Sequence, residues 1–202
     1  MVQSKADVAL QTVYTKLAIA GAGPHTIYAR VADVVGELDI LNTSVKFQPA
    51  TTGTISERLC GLGLEVVRQS RPLEYKRLST NWKWLGDYVV AGNPYDITIS
   101  VKSFKARERL LASGTGSVLA PTIGWGLFNS KEEWSEVRVR AHLYRGFVAI
   151  YMPPGLLGGL SLGAKGISNI NGRPLLRPLA DFPLDLVRAI SASTNRVQMQ
   201  LL

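Results

Sequence analysis

The sequence predicts an α/β fold in which a central mixed β-sheet is flanked by helices. Over the first forty residues, apolar residues recur at helical spacing, whereas later segments are short runs of β-branched and aromatic residues. The predicted order of helix, strand, strand, strand, helix and strand is that of a sheet covered by helices. With 202 residues, 46% of them hydrophobic, residues 1–202 are expected to form one domain around a sizeable core.

The N-terminal region, residues 1–45, is expected to be helical. Val8, Val13 and Leu17 recur at roughly helical spacing, and the run Gly21–Pro24 ends this first helix. A second helical run, Ile27–Leu41, places its valines and leucines on one stripe.

From residue 54 onward, the pattern changes to shorter elements. Thr54–Gly61 is expected to form a short helix with a Thr or Ser cap and a Gly end, and Leu64–Val67 a short strand. Trp82–Val90 is rich in aromatic and β-branched residues and predicts a second strand, which a turn at Ala91–Pro94 ends.

The strongest pattern in the chain is the strict alternation of polar and apolar residues in Asp96–Lys102. Successive side chains of a strand point to opposite faces. The alternation therefore predicts a third strand with one polar face (Asp96, Thr98, Ser100, Lys102) and one face in the core (Ile97, Ile99, Val101).

The remainder of the chain continues the mixed pattern. Phe104–Ala112 is expected to be a basic helix, Thr122–Phe128 a strand, and residues 182–192 a C-terminal helix. Residues 137–151 are expected to form one or two strands, with Arg138, Arg140 and His142 on one face.

The charge balance indicates a polyanionic partner. Lys and Arg number 23 against 15 Asp and Glu, a net charge of +8, and such proteins most often bind nucleic acid. The single cysteine, Cys60, excludes an internal disulfide and a cysteine-based zinc site. Because no apolar stretch approaches the length of a membrane helix, about 20 residues, we expect a soluble intracellular protein with no membrane partner.

Asp87 and Lys102 are the candidate catalytic residues. A chain reversal at residues 92–94 brings an acid on the second strand alongside a lysine at the end of the third. Metal-dependent phosphodiester cleavage needs such a carboxylate to hold Mg²⁺ and such a cation to orient water or stabilise developing charge. Asp96 lies about 20 Å of strand away from Lys102, so it is expected to be a turn residue.

With Asp87 and the run Ser100-Val101-Lys102 before a basic helix, the sequence resembles the PD-(D/E)xK nuclease superfamily, specifically type II restriction endonucleases. A subset of these enzymes that cut palindromic sites is similar in carrying Ser-Val-Lys in place of Glu-x-Lys. The resemblance covers about residues 54–128, the expected catalytic core, and implies a restriction-endonuclease-like sheet. The N-terminal helices and residues 129–202 would then serve DNA recognition or dimerisation.

The resemblance also implies roles for individual residues. Asp87 and the backbone carbonyl of Val101 would hold Mg²⁺, Lys102 would position or activate water, and Ser100 would occupy the vacated acid site. Glu57 would hold a water or a second metal.

The sequence departs from the family pattern at two places. Gly86 stands before Asp87 where the family has proline, and no acid lies about a dozen residues past Lys102. Glu57 is therefore favoured as the second carboxylate over Glu108, with Glu65 a weaker third candidate.

Four basic residues are candidates for contacting DNA. Lys105 and Arg107 follow Lys102 closely and could contact backbone phosphates next to the cut. Arg138 and Arg140, on one face of the strand expected there, could read guanine edges in the major groove. They belong to a stretch, residues 137–179, with six basic residues and no acid.

Together these expectations describe a Mg²⁺-dependent type II restriction endonuclease that cuts duplex DNA at a short specific sequence in a prokaryotic cytoplasm. A homodimer is expected, since cutting both strands of a palindrome needs two active sites related by a two-fold axis. One alternative is a structure-specific repair or junction nuclease on the same core. Another is a non-catalytic basic DNA-binding protein.

Overall fold

The computed structural model describes residues 3–92, 95–104, 110–111, 113–114 and 121–190. Its first helical layer consists of α1 (Lys5–Lys16), α2 (Pro24–Ala29), α3 (Val31–Val45) and α4 (Pro49–Ser70). α1 begins with a capping box, in which Ser4 and Asp7 satisfy each other's backbone N–H groups. The N-terminal region is thus helical as predicted, although the single run predicted over Ile27–Leu41 is divided between α2 and α3.

Six strands form one sheet in sequential order: β1 (Tyr75–Arg77), β2 (Tyr88–Val90), β3 (Ile97–Lys102), β4 (Thr122–Gly126), β5 (Phe147–Met152) and β6 (Leu176–Pro178). β1, β2 and β3 pair antiparallel, whereas β3, β4, β5 and β6 pair parallel. The predicted α/β class with a central mixed sheet flanked by helices is therefore confirmed.

The sheet has a separate apolar core on each face. Helices α1 to α4, with a C-terminal helix α8 over residues 182–190, cover the face that carries Ile99, Trp125 and Tyr151. The other face carries Ile150 and Met152 and is covered by three helices: α5 (Glu136–Tyr144), α6 (Pro154–Gly158) and α7 (Leu162–Lys165). No helix among the described ranges is long and apolar enough to cross a membrane.

A buried polar chain links the first helical layer to the sheet. The indole N–H of Trp125 donates to the Tyr28 hydroxyl (3.2 Å), which itself donates to the Leu179 carbonyl (2.9 Å). Burial raises the pKa of Tyr28 well above its ordinary value, so this hydroxyl keeps its proton.

Residues 54–67, predicted as a short helix and a strand, belong instead to the single helix α4. Leu59, Cys60, Leu64 and Val67 are all buried on one side of it, at helical spacing. Gly61 does not end the helix as predicted. Gly63, also within α4, allows close packing, since a Cβ there would lie 2.8 Å from both Phe182 and Tyr28. The predicted strand at residues 64–67 is wrong because its apolar run also fits a buried helical stripe.

Residues 137–151 were predicted as strands, and the first part of that prediction is also wrong. Residues 136–144 form helix α5, in which Val139 and His142, three positions apart, are buried while Val137 is 78% exposed. Glu136 and Arg140 form an ion pair at i, i+4, which favours the helix. Arg138 and Arg140 therefore do not share a strand face.

The strand predicted over Trp82–Val90 is shorter in the structure. Only Tyr88–Val90 pairs as β2, and Thr80–Trp82 forms a 3₁₀ turn that leaves Trp82 and Trp84 exposed. The predicted strand was too long because Trp, Tyr and Val favour strands wherever they cluster, and this propensity does not show where the strand begins.

β3 occurs where the alternation predicted it. Ile97, Ile99 and Val101 face the core beneath α4, but Thr98 and Ser100 are buried as well, because the second face is also covered. Asp96 precedes the strand and accepts a hydrogen bond from the Gly92 N–H (3.2 Å), as expected of a turn residue.

Gly86 sits where the segment before β2 approaches the β3 backbone. A Cβ on this residue would lie 2.8 Å from the Ile99 carbonyl oxygen, closer than real side chains come. Its φ of +157° also excludes the proline that the family pattern has here, because proline fixes φ near −65°. Glycine is therefore required to bring the next residue, Asp87, against β3.

We predict that Gly86→Ala lowers the free energy of unfolding by about 1–3 kcal/mol, because the added methyl group forces the two backbones apart. Urea unfolding followed by far-UV circular dichroism measures the change. As a matched control, Gly36→Ala on α3 meets nothing within 4 Å and is expected to raise stability by about 0.5–1 kcal/mol. Equal effects of the two changes would contradict the close approach at Gly86.

Asp185 on α8 holds the C-terminal part of the chain together. Its carboxylate pairs with the guanidinium groups of Arg177 (2.6 Å), Arg173 (3.4 Å) and Arg188 (3.4 Å), and it accepts a hydrogen bond from the Tyr151 hydroxyl (3.1 Å). The side chains of Asp185 and Arg177 are only 10% and 11% exposed. One carboxylate thus neutralises a nearly buried arginine and ties α8 to β5 and β6.

Asp185→Ala is expected to lower the free energy of unfolding by about 3 kcal/mol, since it leaves the Arg177 charge buried without its partner. Denaturant titration gives the value. The exposed neighbour Asp181 supplies the control, and its alanine variant should stay within about 0.5 kcal/mol of the parent protein. Stability losses of the same size in both variants would refute the argument.

Candidate active site

A cavity of about 570 Å³ opens at the carboxyl end of β3, between α4 and the segment that leads into β2. Glu57 of α4, Lys83 and Asp87 before β2, Lys102 at the end of β3, and Ser113 line it. The residues predicted to carry chemistry therefore include three that the fold gathers around one cavity: Glu57, Asp87 and Lys102.

Asp87 is held by backbone groups on both sides. Its N–H donates to the Ile99 carbonyl (2.7 Å), and its own carbonyl accepts from the Leu78 N–H (2.9 Å). Its Oδ2 accepts a hydrogen bond from the Val101 N–H (2.7 Å). Asp87 is only 7% exposed, and its carboxylate points across the hairpin with Oδ1 3.7 Å from Lys83 Nζ.

Lys102 completes the predicted pair. The β2–β3 register, with Tyr88 opposite Ile99, carries Asp87 to the end of β3 without any bulge in the paired residues. Lys102 Nζ lies 3.6 Å from Asp87 Oδ2, and its side chain is 15% exposed. The hairpin thus brings an acid and a lysine together, as the spacing predicted.

Glu57 approaches from the helical layer. Tyr88 of β2 donates from its hydroxyl to the Glu57 carbonyl (2.9 Å), which fixes this turn of α4 above the sheet. The Glu57 carboxylate contacts the Arg77 guanidinium and lies 3.1 Å from Lys83 Nζ. Lys83 Nζ is also 3.7 Å from Asp87 Oδ1, so it stands between the two carboxylates.

Of the other two candidate glutamates, the structure describes only Glu65. Glu65, two turns further along α4, pairs with Arg68 (2.6 Å) and accepts from the Tyr75 hydroxyl. Burial, followed by this hydrogen bond, raises the pKa of Tyr75 to about 12. Glu65 does not line the cavity, and Glu108 lies outside the described residues.

Ser100 is fully buried beneath the cavity rather than exposed in it. Its hydroxyl lies 2.8 Å from that of Ser113, which is also 2.6 Å from the Leu110 carbonyl. Two neighbouring serine hydroxyls therefore connect β3 to the cavity wall.

Sequence reasoning missed two residues that line the cavity, Lys83 and Trp84. Lys83 and Trp84 were assigned to a strand, whereas the turn before β2 directs them to the cavity. Trp84 is 58% exposed, and its ring centroid lies 6.4 Å from that of Trp82. The signal in the sequence was Gly86, which marks a close backbone approach and not a continuing strand.

Of the predicted DNA contacts, the two that the structure describes, Arg138 and Arg140, do not line this cavity. Arg138 donates to the Glu132 carbonyl and Arg140 pairs with Glu136 (2.8 Å), both on the α5 side of the sheet. Lys105 and Arg107 lie outside the described residues. His142 is buried, with Nδ1 2.9 Å from the Arg138 carbonyl and its ring stacked on Trp134, as expected of a packing residue.

The donor set at the cavity suits a hard divalent cation. No group of three or more metal-ligating side chains occurs within the described part of the chain. Two carboxylates, Glu57 and Asp87, face one cavity, and the Val101 carbonyl lies on the same side of β3 as the N–H that binds Asp87. Mg²⁺ commonly binds through one or two carboxylates and keeps its remaining positions for water and substrate phosphate, so these residues fit it.

No family model matches the chain, and neither does any curated protein sequence. Its structure is similar to that of restriction endonuclease PspGI in complex with substrate DNA, with a TM-score of 0.57 and 12% sequence identity. The similarity covers 94% of each chain. The protein therefore has a restriction-endonuclease-like α/β fold.

Proposed function

We propose that this protein is a Mg²⁺-dependent endonuclease that hydrolyses phosphodiester bonds of duplex DNA at a short specific sequence, as type II restriction endonucleases do. The observation that carries the proposal is the meeting of Asp87 and Lys102 at the end of the β2–β3 hairpin, with Glu57 above them. The fold shared with an endonuclease solved on its substrate DNA supports the same reaction class.

In this proposal Asp87, Glu57 and the Val101 carbonyl hold Mg²⁺. When bound, Mg²⁺ supplies positive charge against the scissile phosphate. Asp87 is preorganised for this role because the Val101 N–H holds its Oδ2 in place and leaves Oδ1 for a ligand. Glu57 is kept at the cavity by the anchored turn of α4.

Lys102 acts on the water and the phosphate. Its ammonium group, nearly buried beside Asp87, orients a water for attack on phosphorus and stabilises the charge that develops on the phosphate oxygens. The water oxygen bonds to phosphorus and loses a proton to bulk solvent, while one bridging P–O bond breaks and its leaving oxygen takes up a proton from solvent. Ser100 remains a buried support behind the site.

Duplex DNA is proposed as the partner on grounds of charge and position. The net charge of +8 favours a polyanion, and the exposed side chains of Arg77 and Lys83 contact Glu57 at the cavity. Lys105 and Arg107, which follow β3 in sequence, are proposed to contact phosphates next to the cut. A homodimer would place two such sites on the two strands of a palindrome.

We predict that plasmid DNA incubated with the protein and Mg²⁺ yields discrete fragments. Asp87→Asn and Lys102→Met should each reduce the cleavage rate by at least about 10³-fold, while gel-shift binding of duplex DNA remains. Asp96→Asn and Lys76→Met are the matched controls, because these residues do not line the cavity, and they should cut at the parental rate.

A panel of DNA substrates distinguishes a restriction endonuclease from a repair nuclease and from a non-catalytic DNA-binding protein. Cleavage of junctions or mismatches without sequence preference would replace restriction by a repair nuclease on the same site. Salt-sensitive DNA binding with no metal-dependent turnover would contradict the proposal altogether. Full activity of both Asp87→Asn and Lys102→Met would refute the assignment of the site.

Glu57→Gln is expected to reduce cleavage by about 10–100-fold and to raise the Mg²⁺ concentration needed for half-maximal rate, because one charged ligand is lost. Initial rates measured over a Mg²⁺ series give both quantities. Glu65→Gln, the same change two turns along α4, should leave the Mg²⁺ dependence unaltered. The reverse outcome would assign the second carboxylate to Glu65.

A further inference from the structure

Lys83 occupies an unusual place in the cavity. Its ammonium nitrogen lies 3.1 Å from Glu57 Oε1 and 3.7 Å from Asp87 Oδ1. The other oxygen of Asp87 is bound by the Val101 N–H and faces Lys102. Lys83 therefore contacts the Asp87 oxygen that is left for a metal, together with an oxygen of the second carboxylate.

Without metal, the carboxylates of the site are already paired with cationic side chains. Among the described residues, two carboxylates, Glu57 and Asp87, face three cationic groups, those of Arg77, Lys83 and Lys102. A divalent cation entering this set would face like charges at close range, in a partly buried place where water screens them weakly. One of the three cations has to move for the metal to bind tightly.

Lys83 is the cation best placed to move. Arg77 contacts Glu57 and not Asp87 among the described ion pairs, and Lys102 is only 15% exposed. The Lys83 side chain is 42% exposed and stands on the turn before β2. Lysine has a flexible four-carbon stem, so its ammonium group can swing from the carboxylates into solvent at low energetic cost.

We infer that Lys83 is an internal counter-ion that occupies the divalent-cation position of the metal-free protein and is displaced when the metal binds. This inference rests on the proposed metal-dependent function. A DNA phosphate beside the cavity offers the displaced ammonium group a new partner. Metal and DNA then bind cooperatively, each raising the affinity for the other by the same factor. Lys83 is thus a positioning residue that keeps the site from loading metal before substrate is present.

The first test measures Mg²⁺ binding to the full chain without DNA by isothermal titration calorimetry. Lys83→Met keeps the length of the side chain and removes its charge, and it should bind Mg²⁺ at least about tenfold more tightly than the parent protein. Lys76→Met makes the same change on β1 at a residue that does not line the cavity, and it should stay within about twofold. Equal Mg²⁺ affinities of Lys83→Met and the parent protein would overturn the inference.

The second test separates displacement from simple charge repulsion. Trp84 lines the cavity beside Lys83, so its fluorescence should change when Mg²⁺ displaces Lys83 in the parent protein. The change should vanish in Trp84→Phe, and in Lys83→Met although that variant binds metal more tightly. If Lys83→Met retained the full fluorescence change, the signal would not come from movement of Lys83. That result would overturn the displacement.

Asp87→Asn distinguishes failure of the inference from failure of the proposed function. Combined with Lys83→Met, it should abolish the tight Mg²⁺ binding. Undiminished binding in the double variant would place the metal away from Asp87 and overturn both proposals. Loss of Mg²⁺ binding in the double variant, normal DNA cleavage by the parent protein, and parental Mg²⁺ affinity in Lys83→Met would together overturn the role of Lys83 alone. Far-UV circular dichroism confirms that each variant is folded.

Discussion

The hydrogen bond from the Val101 N–H to Asp87 Oδ2, 2.7 Å long, joins the fold to the candidate site. It exists only because the chain before β2 approaches β3 so closely that residue 86 has no room for a side chain. The same approach places Lys102 Nζ next to the carboxylate. A local backbone constraint thus determines both the end of the hairpin and the direction of its acidic group.

Helix α4 contributes to stability and to the site through opposite sides of the same turns. Its apolar side packs on β3, with Leu59 and Cys60 buried, while Glu57 reaches the cavity edge. The Tyr88 hydroxyl, bound to the Glu57 carbonyl, connects this turn to β2. Because this 22-residue helix is well packed and tied to β2, the turn of backbone that carries Glu57 is held in place.

The sequence predicted the sheet class and β3 well, and it brought Asp87 and Lys102 together. The prediction from sequence failed where residues that alternate between apolar and polar, as in a strand, form a helix in the structure. Residues 137–143 alternate apolar and basic, yet Val137 is exposed and α5 buries Val139 and His142. Leu64–Val67 failed for a related reason, since a short apolar run does not reveal whether it is a strand or the buried stripe of a long helix.

By itself, the sequence determined the class of fold and the pairing of an acid with a lysine across a hairpin, and its net charge of +8 predicted a polyanionic partner. These follow from local periodicity, composition and chain reversal, which neighbouring residues alone encode. Only the tertiary structure decided that Glu57, thirty positions before Asp87, faces the same cavity, and that Lys83 stands between the two carboxylates. Such placements depend on how α4 crosses the sheet and on a backbone contact at Gly86, and packing between distant segments sets both.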